Sequence, residues 1–451
     1  MQTFVFIRGS GHSGRHHVQI LWGIGGMLVV LLLAFALSTN RRAIRPRTVL
    51  GALLIQVLFA IIVLRWEPGK QALAAVADSV QKVIDSSKEG IDFLVGPILP
   101  SEGTVVAFQV LPVIVFVASL TAVLYHWNIL QWVVRIIGGG LQKVLGTSKP
   151  ESLNATANIF LGQTEAPLLV RPYLPNMTRS EFFAVMVGGL ATVAGSVMVG
   201  YSLMGADLKH LIAASFMAAP AGLLMAKIIV PETEELKTDH LTPREGVSDA
   251  TRGEATEEDG DESESESASS AAPAESLTGE KPRNVIDAAA TGAADGLRLA
   301  LNVGAMLFAF VSLVALLNLI LGALGGLFGA PDLTLQQILG YIFSPLMWVI
   351  GVPWEEAVAA GGFVGEKLVL NEFVAFADFG PQVEQFSEKS ATIITFALTG
   401  FANVGSLGIL LGGLGGMVPN RRSWIAQYGI RAILGGTLAN LLSAAIAGIL
   451  V

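Results

Sequence analysis

Gly162-Gln163-Thr164-Glu165-Ala166-Pro167 sets an amide, a hydroxyl and a carboxylate beside a proline within a chain that is otherwise largely lipid-soluble. An ionised side chain at bilayer depth costs at least about 2.5 to 3.5 kcal/mol on insertion scales, so it persists where it faces a cavity or a partner. The surrounding stretch, Glu151 to Asn176, adds Asn158, Arg171, Pro172 and Pro175, a composition that penalises a lipid-facing helix. Two half-helices fit instead, since an arm of about 10 residues covers roughly 15 Å, half of a roughly 30 Å hydrocarbon core. The stretch therefore reads as a re-entrant hairpin, hairpin one, whose tip carries Glu165 near the midplane and marks a solute path.

The rest of the chain supplies the membrane around it. Of 451 residues 52% are apolar and 14% charged, with mean hydropathy +0.62, which is the composition of a polytopic membrane protein. The absence of cysteine excludes disulfides, thiolate metal sites and a cysteine nucleophile. The net charge of −8 is local: residues 231–284 hold 16 acids and 5 bases, a net −11, leaving about +3 elsewhere. That segment, with Glu257-Glu258-Asp259-Gly260-Asp261-Glu262-Ser263-Glu264 at its centre, has too little apolar surface to fold and reads as an acidic disordered cytoplasmic loop that solvates and repels itself.

Apolar runs set the topology. Val18 to Leu37 is about the 20 residues a span requires, and Arg41, Arg42, Arg45 and Arg47 follow it as a cytoplasmic loop. Its Ala34-Phe35-Ala36 resembles a signal-cleavage site, but the run is long for a signal segment and a basic stop follows, so it reads as an uncleaved first helix. Val49 to Leu64 returns outward, residues 68–95 form an amphipathic interfacial helix, and Val105 to Tyr125 crosses inward. After hairpin one, Ser180 to Leu203 and Leu208 to Val230 deliver the acidic loop to the cytoplasm, and Gly296 to Leu321 leaves. Glu356 to Asp378, with Lys367 and Asn371-Glu372-Phe373, reads as hairpin two, entered from the outer side; Ser390 to Leu411 and Trp424 to Leu450 complete the chain. The fold class is thus an all-α polytopic membrane protein of eight transmembrane helices plus two re-entrant helical hairpins, with both termini outside.

The two halves repeat. Glu165 precedes Ala191-Thr192-Val193-Ala194-Gly195-Ser196 and Glu372 precedes Phe401-Ala402-Asn403-Val404-Gly405-Ser406, with Glu-to-Ser spacings of 31 and 34. One copy starts from the cytoplasmic side and the other from outside, the inverted repeat of secondary transporters, in which the binding site lies between halves and helices unwind to meet the ligand. Gly195-Ser196 and Gly405-Ser406 are the expected points of unwinding. The domains follow: scaffold helices with an interfacial helix (1–150), hairpin one and two spans as the first repeat (151–230), the acidic loop (231–284), a scaffold helix and connector (285–340), and hairpin two with two spans as the second repeat (341–451).

Three motifs in order, Gly-Gln-Thr-Glu-Ala-Pro at 162–167, Asn-Glu-Phe-Val-Ala-Phe at 371–376 and Phe-Ala-Asn-x-Gly-Ser at 401–406, resemble the concentrative nucleoside transporters, as do Gly351-Val352-Pro353-Trp354 and Gly365-x-Lys367 between them. The resemblance runs from about residue 100 to the end, apart from the acidic loop. It implies a homotrimer in a bacterial inner membrane, each protomer importing nucleosides by alternating access with a cotransported cation. It also implies that Gln163, Thr164, Glu165, Val197 and Phe401 surround the nucleobase while Glu372, Asn403 and Ser406 hold the ribose. That division suits the chemistry: a glutamine amide both donates and accepts, and a carboxylate accepts charge-assisted bonds from sugar hydroxyls.

For the coupling ion, the resemblance implies a sodium site at the Asn158 side chain, the Leu161 carbonyl, the Thr192 hydroxyl and the Val193 carbonyl, where relatives often carry serine in place of Thr192. Sodium, which needs several hard oxygens, is favoured; in a proton-driven carrier Glu165 or Glu372 would take the proton. A carrier of the same architecture for free nucleobases or another small polar solute is the alternative. No cofactor and no nucleic-acid partner are expected. Gly11-His12-Ser13-Gly14 matches a serine-hydrolase string only in letters, because it precedes the first span and lacks a rigid scaffold for a base and an oxyanion hole. No metalloprotease or P-loop string occurs, and His126, His210 and His240 stand alone. The chain is not read as an enzyme.

Overall fold

The structure, a computed structural model, describes residues 12–99, 105–236, 238 and 282–451, with side chains described from Ile20 onward. The acidic run between 239 and 281 lies outside the described residues, as do the side chains of the Gly11–Gly14 string. Every regular element among the described residues is helical.

The first helices frame the molecule. Helix α1 (His12–Ala36) is followed by a basic turn, and α2 (Pro46–Ala60) begins on a proline, whose missing amide costs nothing in a first turn. A wide π turn, Ile61–Arg65, ends α2, and α3 (Glu67–Val95) follows immediately. The chain can reverse so tightly because Gly69 carries no side chain; a Cβ there would meet the Ile62 carbonyl oxygen at 1.8 Å. As expected of an amphipathic helix, α3 buries Leu73, Ala77, Ile84 and Ile91 in one stripe, with Asp85 and Lys88 paired at 3.1 Å on its outer face. A π turn at Val106–Val110 leads into α4 (Leu111–His126). The sequence reading assigns nothing to 126–150, yet α5 (Ile129–Leu145) lies there, burying Leu130, Val134, Leu141 and Leu145. Residues three and four apart form its apolar face, so it is a second amphipathic helix.

Next come α6 (Lys149–Ala157), a 3-10 run (Ala166–Asn176), α7 (Arg179–Ala191), α8 (Gly195–Leu203) and α9 (Leu208–Ile229). Helix α10 (Val285–Gly326) is 42 residues long, well beyond the expected Gly296 to Leu321. It packs along α4, where Gly292 and Gly296 let the backbones approach: a Cβ on either would fall within 2.5 to 2.7 Å of Ala122 or Ala118. Then follow α11 (Leu335–Val349), α12 (Trp354–Val369), α13 (Glu372–Phe379), α14 (Glu388–Leu398), α15 (Ser406–Met417) and α16 (Arg422–Leu450). Helices α11 and α12 fold back on each other with a 118° bend, so hairpin two has a helical partner that begins in the expected connector and runs across its 340/341 boundary.

Among the described residues, six helical stretches are long and apolar enough to cross a membrane: 46–65, 106–126, 179–203, 208–229, 285–326 and 419–450. The other two stretches expected to span are α1, with a shorter apolar run Ile20–Ala36, and the broken pair α14–α15. Helices α7 and α9 are almost wholly buried and form the core with the second half of α16, from Ala432 on, whereas α10 exposes Leu301, Phe308, Leu313 and Leu319. An apolar helix exposed on the outside of a monomer is a surface for lipid or for another copy.

Candidate functional site

Both expected hairpins form, from different materials. The first arm of hairpin one is α6, opened by a capping box in which the Ser148 amide donates to Glu151 Oε2 at 2.8 Å. Its return arm is the 11-residue 3-10 run, because Pro172 and Pro175 each remove an amide that an α-helix would use, while Pro167 opens the run. The tip between them turns on itself, the Gly162 amide donating to Glu165 Oε2 at 3.2 Å, and Glu165 is exposed. Hairpin two is α12 and α13, reversed at Leu370 and Asn371; Asn371 caps α13 by accepting from the Val374 amide at 2.9 Å. Glu372 thereby occupies the first turn of α13, where free amides favour a carboxylate.

The roots of both hairpins are closed by acids. Glu151 pairs with Lys227, which also lies 3.8 Å from Glu232 and donates to Ser180 Oγ at 2.9 Å; all four groups are buried. At hairpin two, Glu356 accepts from the Ser387 amide and hydroxyl, each at 2.9 Å.

Each tip lies against a helix break. The first break is Thr192-Val193-Ala194, ahead of the Gly195-Ser196 pair expected to unwind; those two residues open α8 instead. The second runs from Thr399 to Gly405, with Ser406 opening α15. The Gly195 amide donates to the Phe160 carbonyl at 3.1 Å, and a Cβ added at Gly189 would lie 2.8 Å from Gln163 Cβ. Asn158 packs on α7 at Gly188; its Nδ2 donates to the Asn154 carbonyl at 2.9 Å, while its Oδ1 is buried without a donor. Thr192 donates its hydroxyl proton to the Gly188 carbonyl at 2.9 Å, leaving its oxygen lone pairs free, and the Leu161 and Val193 carbonyls accept no hydrogen bond among the described residues. These four oxygens thus accept from no donor among the described residues, and Thr192 and Val193 lie just past the C-terminal end of α7, where the helix dipole favours a cation.

The second tip and break are joined through side chains. Asn403 Nδ2 donates to Glu372 Oε2 at 3.0 Å, and Asn403 Oδ1 accepts from the Ser406 amide at 2.8 Å. Ser406 Oγ donates to the Phe401 carbonyl at 2.5 Å, and the Val404 amide donates to Leu368 O at 3.0 Å. The expected ribose group, Glu372, Asn403 and Ser406, is therefore one hydrogen-bonded set, buried in this structure.

The two repeats cross at a backbone bond from the Phe401 amide to the Thr192 carbonyl, 3.1 Å. Thr164 of the first tip reaches α15 of the second repeat, since a Cβ at Gly413 would lie 2.8 Å from Thr164 Cγ2. Gln163 keeps a buried Oε1 without a donor, Val197 is buried at the start of α8, and Phe401 is half-buried.

Tyr201 belongs to this group and is absent from the sequence reading. It donates its hydroxyl to Glu372 Oε1 at 3.0 Å, and its ring stacks on Phe376 at 4.4 Å and meets Phe373 edge-on at 4.9 Å. An aromatic inside an apolar run carries no local sign of such a role. Lys367, by contrast, does not bond Glu372: its ammonium donates to the Ala397 carbonyl at 2.7 Å and to Asn440 Oδ1 at 2.8 Å.

Comparison with known proteins agrees over the length of the chain. Residues 210–448 match the family described as Na+ dependent nucleoside transporter C-terminus, 25–98 its N-terminal counterpart, and 107–208 the domain described as Nucleoside recognition. The chain is 50% identical over 435 residues to the transporter YutK of Bacillus subtilis, covering 96% of this chain and 100% of that protein. It is 43% identical over 443 residues to the nucleoside permease NupC of Helicobacter pylori, covering 96% and 98%. Among solved structures it is similar to CNTnw in an inward-facing substrate-bound state, with TM-score 0.84, 48% identity and coverage of 96% and 98%. A doubly substituted CNTnw in an outward-facing state gives TM-score 0.85, 48% identity and the same coverage. With its broken helices, paired hairpins and these likenesses, the chain belongs to the Na+ dependent nucleoside transporter family, and is a polytopic membrane transporter and not an enzyme.

Proposed function

We propose that this protein imports nucleosides by alternating access, driven by sodium, with one pathway in each protomer of a homotrimer. The observation that carries the reading is the pairing, across the Thr192–Phe401 contact, of a carboxylate–amide set at Glu372 and Asn403 with donor-free oxygens at Asn158, Leu161, Thr192 and Val193. Glu372 suits ribose hydroxyls, and Asn403 and Ser406 complete that set. Gln163, Thr164, Glu165, Val197 and Phe401 suit the nucleobase: Gln163 has a buried acceptor awaiting a donor, and Phe401 offers a ring face. A substrate lacking a ribose hydroxyl would leave buried polar groups unpaired, so the hydroxyls should govern selectivity.

The four oxygens include no carboxylate, and neutral hard oxygens are the ligands a monovalent cation takes. Sharing the Thr192 backbone with the contact to Phe401, a cation there would steady the crossing on which the nucleoside groups are built. Inward movement of one charge gains about 2.3 kcal/mol per 100 mV, enough for roughly fifty-fold accumulation. Alternating access is supported by CNTnw, solved in inward-facing, outward-facing and intermediate states, and the exposed apolar face of α10 suits a subunit contact. Radiolabelled uridine uptake into proteoliposomes tests all of this: a sodium gradient is expected to concentrate uridine and a proton gradient alone is not. Accumulation under neither gradient would overturn the reading, and equal competition by uracil would shift it to free nucleobases.

A further inference from the structure

The breaks leave helix-end carbonyls in need of donors, and one side chain outside both hairpins answers them. Asn440, in the middle of α16 and 2% exposed, donates its two Nδ2 hydrogens to the carbonyls of Ala191 and Thr399, each at 2.7 Å. One is the last carbonyl of α7 and the other that of the residue capping α14, one in each repeat. Its Oδ1 accepts from Lys367 of hairpin two, whose ammonium also donates to the Ala397 carbonyl. The amide's orientation is dictated by its surroundings, since the opposite one would turn an acceptor onto two carbonyls and a donor onto an ammonium. The approach is close: Gly400 abuts the Asn440 amide, and Gly436, one turn earlier, lies against Leu190 and Ala402 on either side of the crossing. A buried ammonium here also meets the negative ends of the α7 and α14 dipoles.

We infer that Asn440 and Lys367 are positioning residues for both cation and solute: the amide holds the ends of α7 and α14 together, and the ammonium ties that junction to hairpin two. Thr192 and Val193 directly follow Ala191, and Gly400, Phe401 and Asn403 follow Thr399, so one clamp sets the cation oxygens and the nucleoside groups relative to each other. What is bound rests on the proposed function; the clamp itself does not.

The test uses the full chain in liposomes. Asn440→Asp keeps an acceptor for Lys367 and removes both donors. It is expected to raise the half-saturating sodium concentration and the uridine KM together, each about tenfold, with the maximal rate per folded protein within about threefold of wild type. Lys367→Met, which frees hairpin two alone, should raise the uridine KM more than the sodium constant. Because the chain has no cysteine, spin labels go only to cysteines introduced at Leu168 and Val404. Their distance distribution should broaden in Asn440→Asp, and this readout decides the inference even if uridine proves not to be the solute. Unchanged constants with an unchanged distribution would overturn the positioning role, as would failure of both variants to fold, which would make the cluster a stability element only.

Discussion

Replacing Glu372 by glutamine changes one atom and should disable recognition without unfolding the protein. In the structure its carboxylate accepts from Tyr201 on Oε1 and from Asn403 on Oε2, both at 3.0 Å. A glutamine can keep its oxygen towards Asn403 and turn its NH2 towards the Tyr201 hydroxyl, which can accept, so the resting network survives. What is lost is charge. A hydrogen bond to an ionised group contributes about 1.5–3 kcal/mol, against about 0.5–1.5 for a neutral pair, so each ribose hydroxyl bonded to this carboxylate loses about 1 kcal/mol. Two hydroxyls make about 2 kcal/mol, or about thirtyfold in affinity. Calorimetric titration of uridine into purified Glu372→Gln should show that loss at unchanged size-exclusion profile, and concentrative uptake at low uridine should vanish. An affinity within about threefold of wild type would refute the assignment of Glu372 to the sugar.

Asn158→Leu removes the donor-free oxygen beside Thr192, so uridine uptake should lose its dependence on sodium, read as a flat response when sodium is titrated at fixed uridine. Lys227→Met leaves Glu151 and Glu232 buried without this cation, and breaking such a pair costs about 3–5 kcal/mol; a clear fall in melting temperature in detergent is expected. Deleting residues 240–278 should leave sodium-driven uptake nearly intact, which the same liposome assay checks.

Much of this architecture is written locally. A carboxylate beside proline at Glu165, another beside Asn371, and the spacing to Ser196 and Ser406 are enough to expect two hairpins facing two interrupted helices, because a charge in an apolar run has few tolerable surroundings. That Glu372, Asn403 and Ser406 belong together follows from the resemblance of their motifs alone, and the structure joins them by hydrogen bonds. What escapes the sequence is supplied from far away along the chain. The first break begins at Thr192, ahead of the glycine, since the final carbonyl of α7 finds its donor in Asn440, 249 residues on. Tyr201 reaches Glu372 across 171 residues, and nothing in its own apolar neighbourhood distinguishes it from packing. Helix α5 was legible in principle, because Leu130, Val134, Leu141 and Leu145 recur at helical spacing, but its mixed polarity suits neither a span nor a loop.

The inverted halves are not mechanical twins. Nine α-helical residues of α6 cover about 14 Å, whereas the 11 residues of the 3-10 return arm stretch to about 22 Å, so hairpin one is lopsided. Proline torsions also make that longer limb a stiff strut, while both limbs of its counterpart are wound alike as α-helix and join across Leu370 and Asn371. Any motion shared between them would bend hairpin two and merely tilt hairpin one, giving the carrier one pliant door and one rigid jamb.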